Sequence, residues 1–94
     1  MQTEIKYGTR FRKHYSKADK KIKTAFAQTL EVFLEDPNHP QLRNHALRNK
    51  YFGYRSINIT EDWRAVFKIK HIGKQKIIVF HMLGTHEDLY GSSA

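Results

Sequence analysis

Residues 54–82 read YRSINITEDWRAVFKIKHIGKQKIIVFHM, and three alternating runs within that stretch decide the fold. In the first run Arg55, Ile57 and Ile59 alternate with Tyr54, Ser56 and Asn58. A period of two sends successive side chains to opposite faces of a strand. Thr60-Glu61-Asp62 makes a tight connection. The second run extends from about Trp63 to Lys70, with Ala65, Phe67 and Ile69 on one face and Arg64, Val66 and Lys68 on the other. His71-Ile72-Gly73-Lys74 then turns the chain. The third run, about Gln75 to Met82, is apolar on both faces, as a central strand covered on both sides would be. Gly84-Thr85 ends it, and His86 to Tyr90 form a short tail.

Toward the N-terminus, Ile5 and Tyr7 alternate around Lys6 and predict a short first strand. Gly8-Thr9 offers a turn, with Thr9 as N-cap of a short helix through about Tyr15. Ser16 with Asp19 three residues later reads as a capping box for a second helix. Ile22, Ala25, Phe26, Thr29, Leu30, Phe33 and Leu34 follow at spacings of three and four, one apolar stripe of an amphipathic helix. Lys17, Lys20, Lys21 and Lys23 crowd its start, where they oppose the helix dipole. Asp36-Pro37 stops it, because the residue before proline avoids helical backbone angles. Residues 37–53 read as a polar loop. The order β-α-α-β-β-β describes a single α+β domain over residues 1–94, two N-terminal helices packed on a mostly antiparallel sheet.

Composition narrows the function. The 94 residues include no cysteine, so disulfides and cysteine-based metal sites are excluded. The N-terminal residues lack an apolar run of signal-peptide length, and Ile77-Ile78-Val79-Phe80 is far too short to span a bilayer. The expectation is a cytoplasmic protein with no membrane partner. Seventeen Lys and Arg against nine Asp and Glu leave a net charge of +8. Such an excess favours a polyanionic partner, since each phosphate neutralised releases a counterion. Residues 1–30 carry eight of the cations and two acids. Charge alone does not separate RNA, DNA, an acidic protein or a membrane surface.

Motifs for metals and nucleotides are absent: there is no Gly-rich phosphate loop and no His-Glu-x-x-His. Six histidines are present instead: His14, His39, His45, His71, His81 and His86. Histidine is the side chain best placed to move protons near neutral pH. RNA carries its own nucleophile, the 2′-hydroxyl, so cleaving it needs only a base, an acid and a cation for the extra phosphorane charge. His14 and His71 read as surface residues and His39 as a turn residue, whereas His45, His81 and His86 flank or end the strands.

An ordered set of motifs covers residues 45–90: His45-Ala46-Leu47, Gly53-Tyr54-Arg55-Ser56, Asp62-Trp63-Arg64-Ala65-Val66-Phe67-Lys68, and Gly84-Thr85-His86-Glu87-Asp88-Leu89-Tyr90. It resembles the RelE/ParE superfamily, most closely its YafQ-type toxins. The resemblance implies a sheet with helices on one face. It also implies a ribosome-dependent endoribonuclease that cuts mRNA by 2′-hydroxyl attack, with no metal or other cofactor. A cognate antitoxin would bind it in a toxin–antitoxin hetero-oligomer. By the same resemblance the catalytic candidates are His86, His45, Asp62 and Arg64. His86 would be the acid, His45 or Asp62 the base, and Arg64 the cation on the phosphate. Trp63, Tyr90, Lys68, Arg55 and His81 would contact RNA.

Several of these residues carry a plainer alternative. Asp62 also suits a turn cap, Trp63 a core position, Arg64 a surface ion pair, and Tyr90 packing of the tail onto the sheet. Two positions depart from the YafQ pattern. Asn58 stands where a histidine is expected, and Met82 where an arginine is frequent. Asn58 can hydrogen-bond but cannot move a proton near neutral pH. The departures keep open an RNA-binding homologue with impaired catalysis. The ParE branch keeps open a toxin that binds a protein target such as DNA gyrase.

Overall fold

Alternation and helical periodicity meet on a five-stranded sheet. A computed structural model describes residues 3–90, so positions 1–2 and 91–94 of the expected domain lie outside the described residues. The elements are β1 (Thr3–Tyr7), α1 (Thr9–Lys17), α2 (Lys20–Glu35), β2 (His45–Ala46), β3 (Arg55–Asn58), β4 (Trp63–Ile72), β5 (Gln75–Thr85) and α3 (His86–Tyr90). The strands lie in the order β1-β5-β4-β3-β2. Only the β1–β5 pair is parallel; the other three pairs are antiparallel.

One face of the sheet packs against α1 and α2. Phe11, Ile22, Phe26 and Phe33 from the helices bury against Ala65, Phe67, Ile78, Phe80 and Leu83. The rings of Phe33 and Phe67 meet edge-on at 5.0 Å, and those of Phe26 and Phe80 at 5.3 Å. Each such phenylalanine contributes about 2–3 kcal/mol by leaving water. Leu34 falls off the stripe and is exposed. The opposite face has a smaller core of Val66, Met82 and Leu89, with Leu47, Tyr51, Tyr54 and Tyr90 packed against it.

A bulge in β5 connects the two faces. Val66 pairs with Met82 but Phe67 pairs with Phe80, leaving His81 as the extra residue. An extra residue shifts the alternation by one. Phe80 and Leu83 therefore join the helix-side core, while Met82 joins the opposite one. The strand is apolar on both faces, as its sequence predicts, and β1 and β4 flank it.

Local signals were reassigned by tertiary contacts. The expected capping box is replaced by Asp19 alone, whose carboxylate accepts from Ile22 N–H at 3.0 Å and offsets the lysines of the first turn. Ser16 stays inside α1, which runs two residues past Tyr15, and its hydroxyl donates to Lys13 O. Gly8, not Thr9, is the N-cap of α1. Its N–H donates to Phe80 O at 2.9 Å, and a Cβ there would lie 3.3 Å from that oxygen. The loop at 37–53 contains two 3₁₀ turns, Pro40–Leu42 and Asn49–Tyr51, besides the two-residue β2. Elements this short carry no periodicity to read. The tail at 86–90 is the helix α3.

Candidate active site

A cleft of about 850 Å³ opens on the sheet face away from α1 and α2. The parity of β3 directs Ser56 and Asn58 into it, since Ile57 between them belongs to the helix-side core. Arg64 of β4 and His86 and Tyr90 of α3 line it as well. The rest of the lining comes from the loop before β3: Arg43, His45, Leu47, Arg48, Asn49, Lys50 and Tyr51. Four of these side chains are Arg or Lys, two are histidines and none is an acid.

Each wall is held by identifiable contacts. Arg43 and Asn49 adopt left-handed φ values of 47° and 58°, so backbone strain coincides with the cleft. His45 Nδ1 lies 2.8 Å from Arg43 O. A carbonyl only accepts, so Nδ1 carries the proton and the neutral ring keeps its lone pair on Nε2. Arg64 Nη1 is shared among the carbonyls of Thr60, Glu61 and Trp63 at 2.9–3.0 Å. Among the described residues its Nε and Nη2 have no hydrogen-bond partner.

The helix α3 is seated by its flanks. Thr85 Oγ1 accepts from Asp88 N–H at 3.0 Å, the geometry of an N-cap. His86 N–H donates to Asp62 O at 2.9 Å. A Cβ on Gly84 would come within 3.2 Å of Leu89 Cδ2, so the missing side chain lets α3 fold back on β5. Tyr51 Oη donates to Leu89 O at 2.9 Å and ties the loop wall to the helix. The rings of Tyr51 and Tyr90, and of Tyr90 and His86, meet edge-on at 5.8 and 4.8 Å. Burial pushes the Tyr90 phenol up, outweighing the pull of Ser56 and Arg64 in the other direction. The phenol therefore remains a donor at neutral pH.

The structure brings together His45, Arg64, His86 and Tyr90 of the sequence-derived candidates, and places the divergent Asn58 beside them. The others lie elsewhere. Asp62 is exposed and meets the site only through its carbonyl; Thr60 Oγ1, not the Asp62 carboxylate, accepts from Trp63 N–H in that turn. Trp63 packs against the helix-side core. Arg55 shares the parity of Ile57, and its Nε donates to Asn44 Oδ1 at 2.7 Å. Lys68 Nζ sits 5.5 Å from the centre of the Tyr54 ring, which His81 meets on its own account at 5.0 Å. Met82 is fully buried beneath Val66 and Leu89.

His14, read from sequence as a surface residue, accepts from Leu83 N–H at 3.1 Å through Nδ1. Sequence reasoning passed over Arg43, Arg48, Asn49, Lys50, Tyr51 and Ser56. The signal for the first five was a basic, aromatic-bearing loop, the kind of segment that carries function; for Ser56 it was only its place at the end of the motif Gly53-Tyr54-Arg55-Ser56. Among the described residues no three His, Asp or Glu side chains gather closely enough to hold a metal ion.

Comparison with known proteins places this architecture. The model of the family described as the bacterial toxin of type II toxin–antitoxin system, YafQ, matches residues 3–91. No curated protein matches the chain. Among solved structures, YafQ from E. coli strain BL21(DE3) is 22% identical, with a TM-score of 0.76 and a match covering 96% of this chain and 100% of that one. The toxin of the E. coli DinJ-YafQ toxin-antitoxin complex is 21% identical, with a TM-score of 0.75 over 97% of this chain and 100% of that one. A YoeB/ParE toxin from Agrobacterium tumefaciens is 15% identical, with a TM-score of 0.71 over 88% of this chain and 98% of that one. These structural likenesses carry the RelE-like fold, and the family match, spanning nearly the whole sequence, carries the membership: the chain belongs to the YafQ family, toxins of bacterial type II toxin–antitoxin systems.

Proposed function

We propose that this toxin is a ribosome-dependent endoribonuclease that cleaves mRNA through the substrate's own 2′-hydroxyl, without a metal. The observation that carries the reading is one cleft holding two histidines and four cationic side chains with no acid among its lining residues. His45, with its proton held on Nδ1 by Arg43 O, offers Nε2 as the base that takes the 2′-hydroxyl proton. His86 is the acid that protonates the leaving 5′-oxygen. Arg64 steadies the phosphorane through its free guanidinium nitrogens. Arg43, Arg48 and Lys50 bind flanking phosphates, and Tyr51 and Tyr90 offer rings on which bases stack.

The partners in this reading are the ribosome with its mRNA and a cognate antitoxin in a cytoplasmic hetero-oligomer. The E. coli DinJ-YafQ structure is such a toxin-antitoxin complex. A charge of +8 suits an antitoxin whose toxin-binding segment is acidic. Among the described residues no helix is long and apolar enough to cross a membrane.

The test combines the purified chain with ribosomes and a defined mRNA. Cleavage at the ribosome leaving 2′,3′-cyclic phosphate ends is expected. Products with 3′-hydroxyl ends would overturn the 2′-hydroxyl chemistry, and intact mRNA with unchanged translation would overturn the nuclease reading.

A further inference from the structure

Phe52 is 83% exposed, the most exposed large apolar side chain among the described residues. Burying such a ring would stabilise the fold, and the fold leaves it in water. The backbone beneath it is nonetheless well tied. Leu47 N–H donates to Tyr54 O at 2.9 Å and closes the segment between β2 and β3. Within it Tyr51 N–H donates to Arg48 O, Phe52 N–H to Asn49 O and Tyr54 N–H to Tyr51 O, at 3.0–3.2 Å. Gly53 takes a φ of 94° in the reversal after Phe52, where a side chain would be strained. Tyr51 Oη, bonded to Leu89 O, pins the segment to α3. Phe52 is held out on a fixed turn, so a ligand that meets it pays little ordering entropy.

The surroundings select the ligand. Arg48, Asn49, Lys50 and Tyr51 line the cleft, and Phe52, next along the chain, stands at its rim. Between Pro37 and Thr60 the chain carries Arg43, Arg48, Lys50 and Arg55 and no acid. The other exposed large apolar side chains, Leu34, Ile69 and Ile72, lie on α2 and β4. A protein interface asks for a contiguous apolar patch. One ring among cations instead matches a ligand with a flat apolar face and an anionic backbone, a nucleotide of a single strand.

We propose that Phe52 is a stacking platform for one unpaired base of the mRNA strand that occupies the cleft, and that it fixes the strand's register against His45 and His86. The platform deepens the nuclease reading and rests on it for the identity of the strand.

The experiment measures binding of the full chain to ribosomes programmed with an mRNA made uncleavable by 2′-O-methylation, and cleavage of the unmodified mRNA on the same ribosomes. The proteins are wild type, Phe52→Ala, Phe52→Leu and Phe52→Trp. Alanine is expected to weaken binding about 5- to 150-fold, the scale of one base–aromatic stack. Leucine, apolar but without a flat face, should fall with alanine, and tryptophan should bind at least as tightly as phenylalanine. Melting temperatures should hold in all three, because the ring joins neither core. An abasic residue moved along the mRNA should abolish the alanine penalty at one position. Wild-type affinity in Phe52→Ala, with cleavage retained, would overturn the platform and leave the nuclease reading standing. Full affinity in Phe52→Leu would overturn the stack in favour of a plain apolar contact. A penalty equally large on empty ribosomes, or one seen only in antitoxin binding, would overturn mRNA as the occupant. Alanine-sensitive mRNA binding without cleavage by the wild type would keep the platform and remove the nuclease.

Discussion

On the helix side of the sheet, Phe11, Phe26, Phe33, Phe67 and Phe80 interlock ring against ring, with centroids 5.0–6.1 Å apart. On the other side, Val66, Met82 and Leu89 make a far smaller core beside a cleft lined by four cationic side chains and no acid, with two left-handed residues in its wall. The same strands serve both faces, because alternation gives each face its own set of side chains. The cleft face carries features that cost stability in the free protein. Stability and activity are therefore expected to separate by face.

Phe33→Ala should have the largest effect. It removes a ring buried against Phe67 and Phe80 and should cost about 3–5 kcal/mol in chemical denaturation, a large part of a small domain's stability. A loss below about 1 kcal/mol would break the contrast between the faces.

His86→Gln should reverse that pattern. Single-turnover cleavage of ribosome-bound mRNA is expected to slow by about 10²–10⁴-fold, the contribution of a general acid, while the denaturation midpoint holds. A variant cutting at the wild-type rate across about pH 5.5–8.5, the range around the ordinary histidine pKa, would make His86 structural and move the acid role to Tyr90 or His81.

Arg64→Ala should slow cleavage about 10²–10³-fold, as loss of one charge-stabilising donor does, with a defect that varies little with pH. The side chain also gathers three carbonyls of the β3–β4 turn. Arg64→Lys separates the roles, since it restores charge without the planar fork. Full rescue by lysine would show that charge alone suffices.

The smallest effect concerns a residue joining the two faces. His14 of α1 accepts from Leu83 N–H, just past the bulge in β5. Burial first, then the charges of Arg10 and Lys17, hold its pKa below 6.5, against a weaker opposing pull from Asp88. Burial, then Arg10, Lys68 and His14, act on His81 in the same direction. The unfolded chain therefore takes up these protons more readily than the folded one. Stability should be full above about pH 6.5 and decline as the pH falls through that value toward the lowered folded pKa values. A double His14→Gln, His81→Gln variant should show a flatter decline in thermal melts. An unaltered slope would assign the acid sensitivity to other groups.

Within the chain, some features were readable from residue order alone and some were not. The period-two runs at 54–59 and 63–70 and the three-and-four spacing from Ile22 to Phe33 determined the β3, β4 and α2 elements, because periodicity is a local property of the backbone; burial along β4 did not follow the alternation, since Val66 is fully buried and Ile69 exposed. The motif set at 45–90 likewise pointed to His45, Arg64, His86 and Tyr90, which the fold gathers. Tertiary structure alone decided the rest. Trp63 and Arg55 face the other way, for strand parity becomes a direction only once one face is known to meet the helices. The bulge at His81, the two-residue β2 and the pairing of β1 with β5 are relations between segments, and no single segment encodes them. Ser56 is the sharpest case: its place in a strand says nothing of burial, and its full enclosure is a property of the packed molecule.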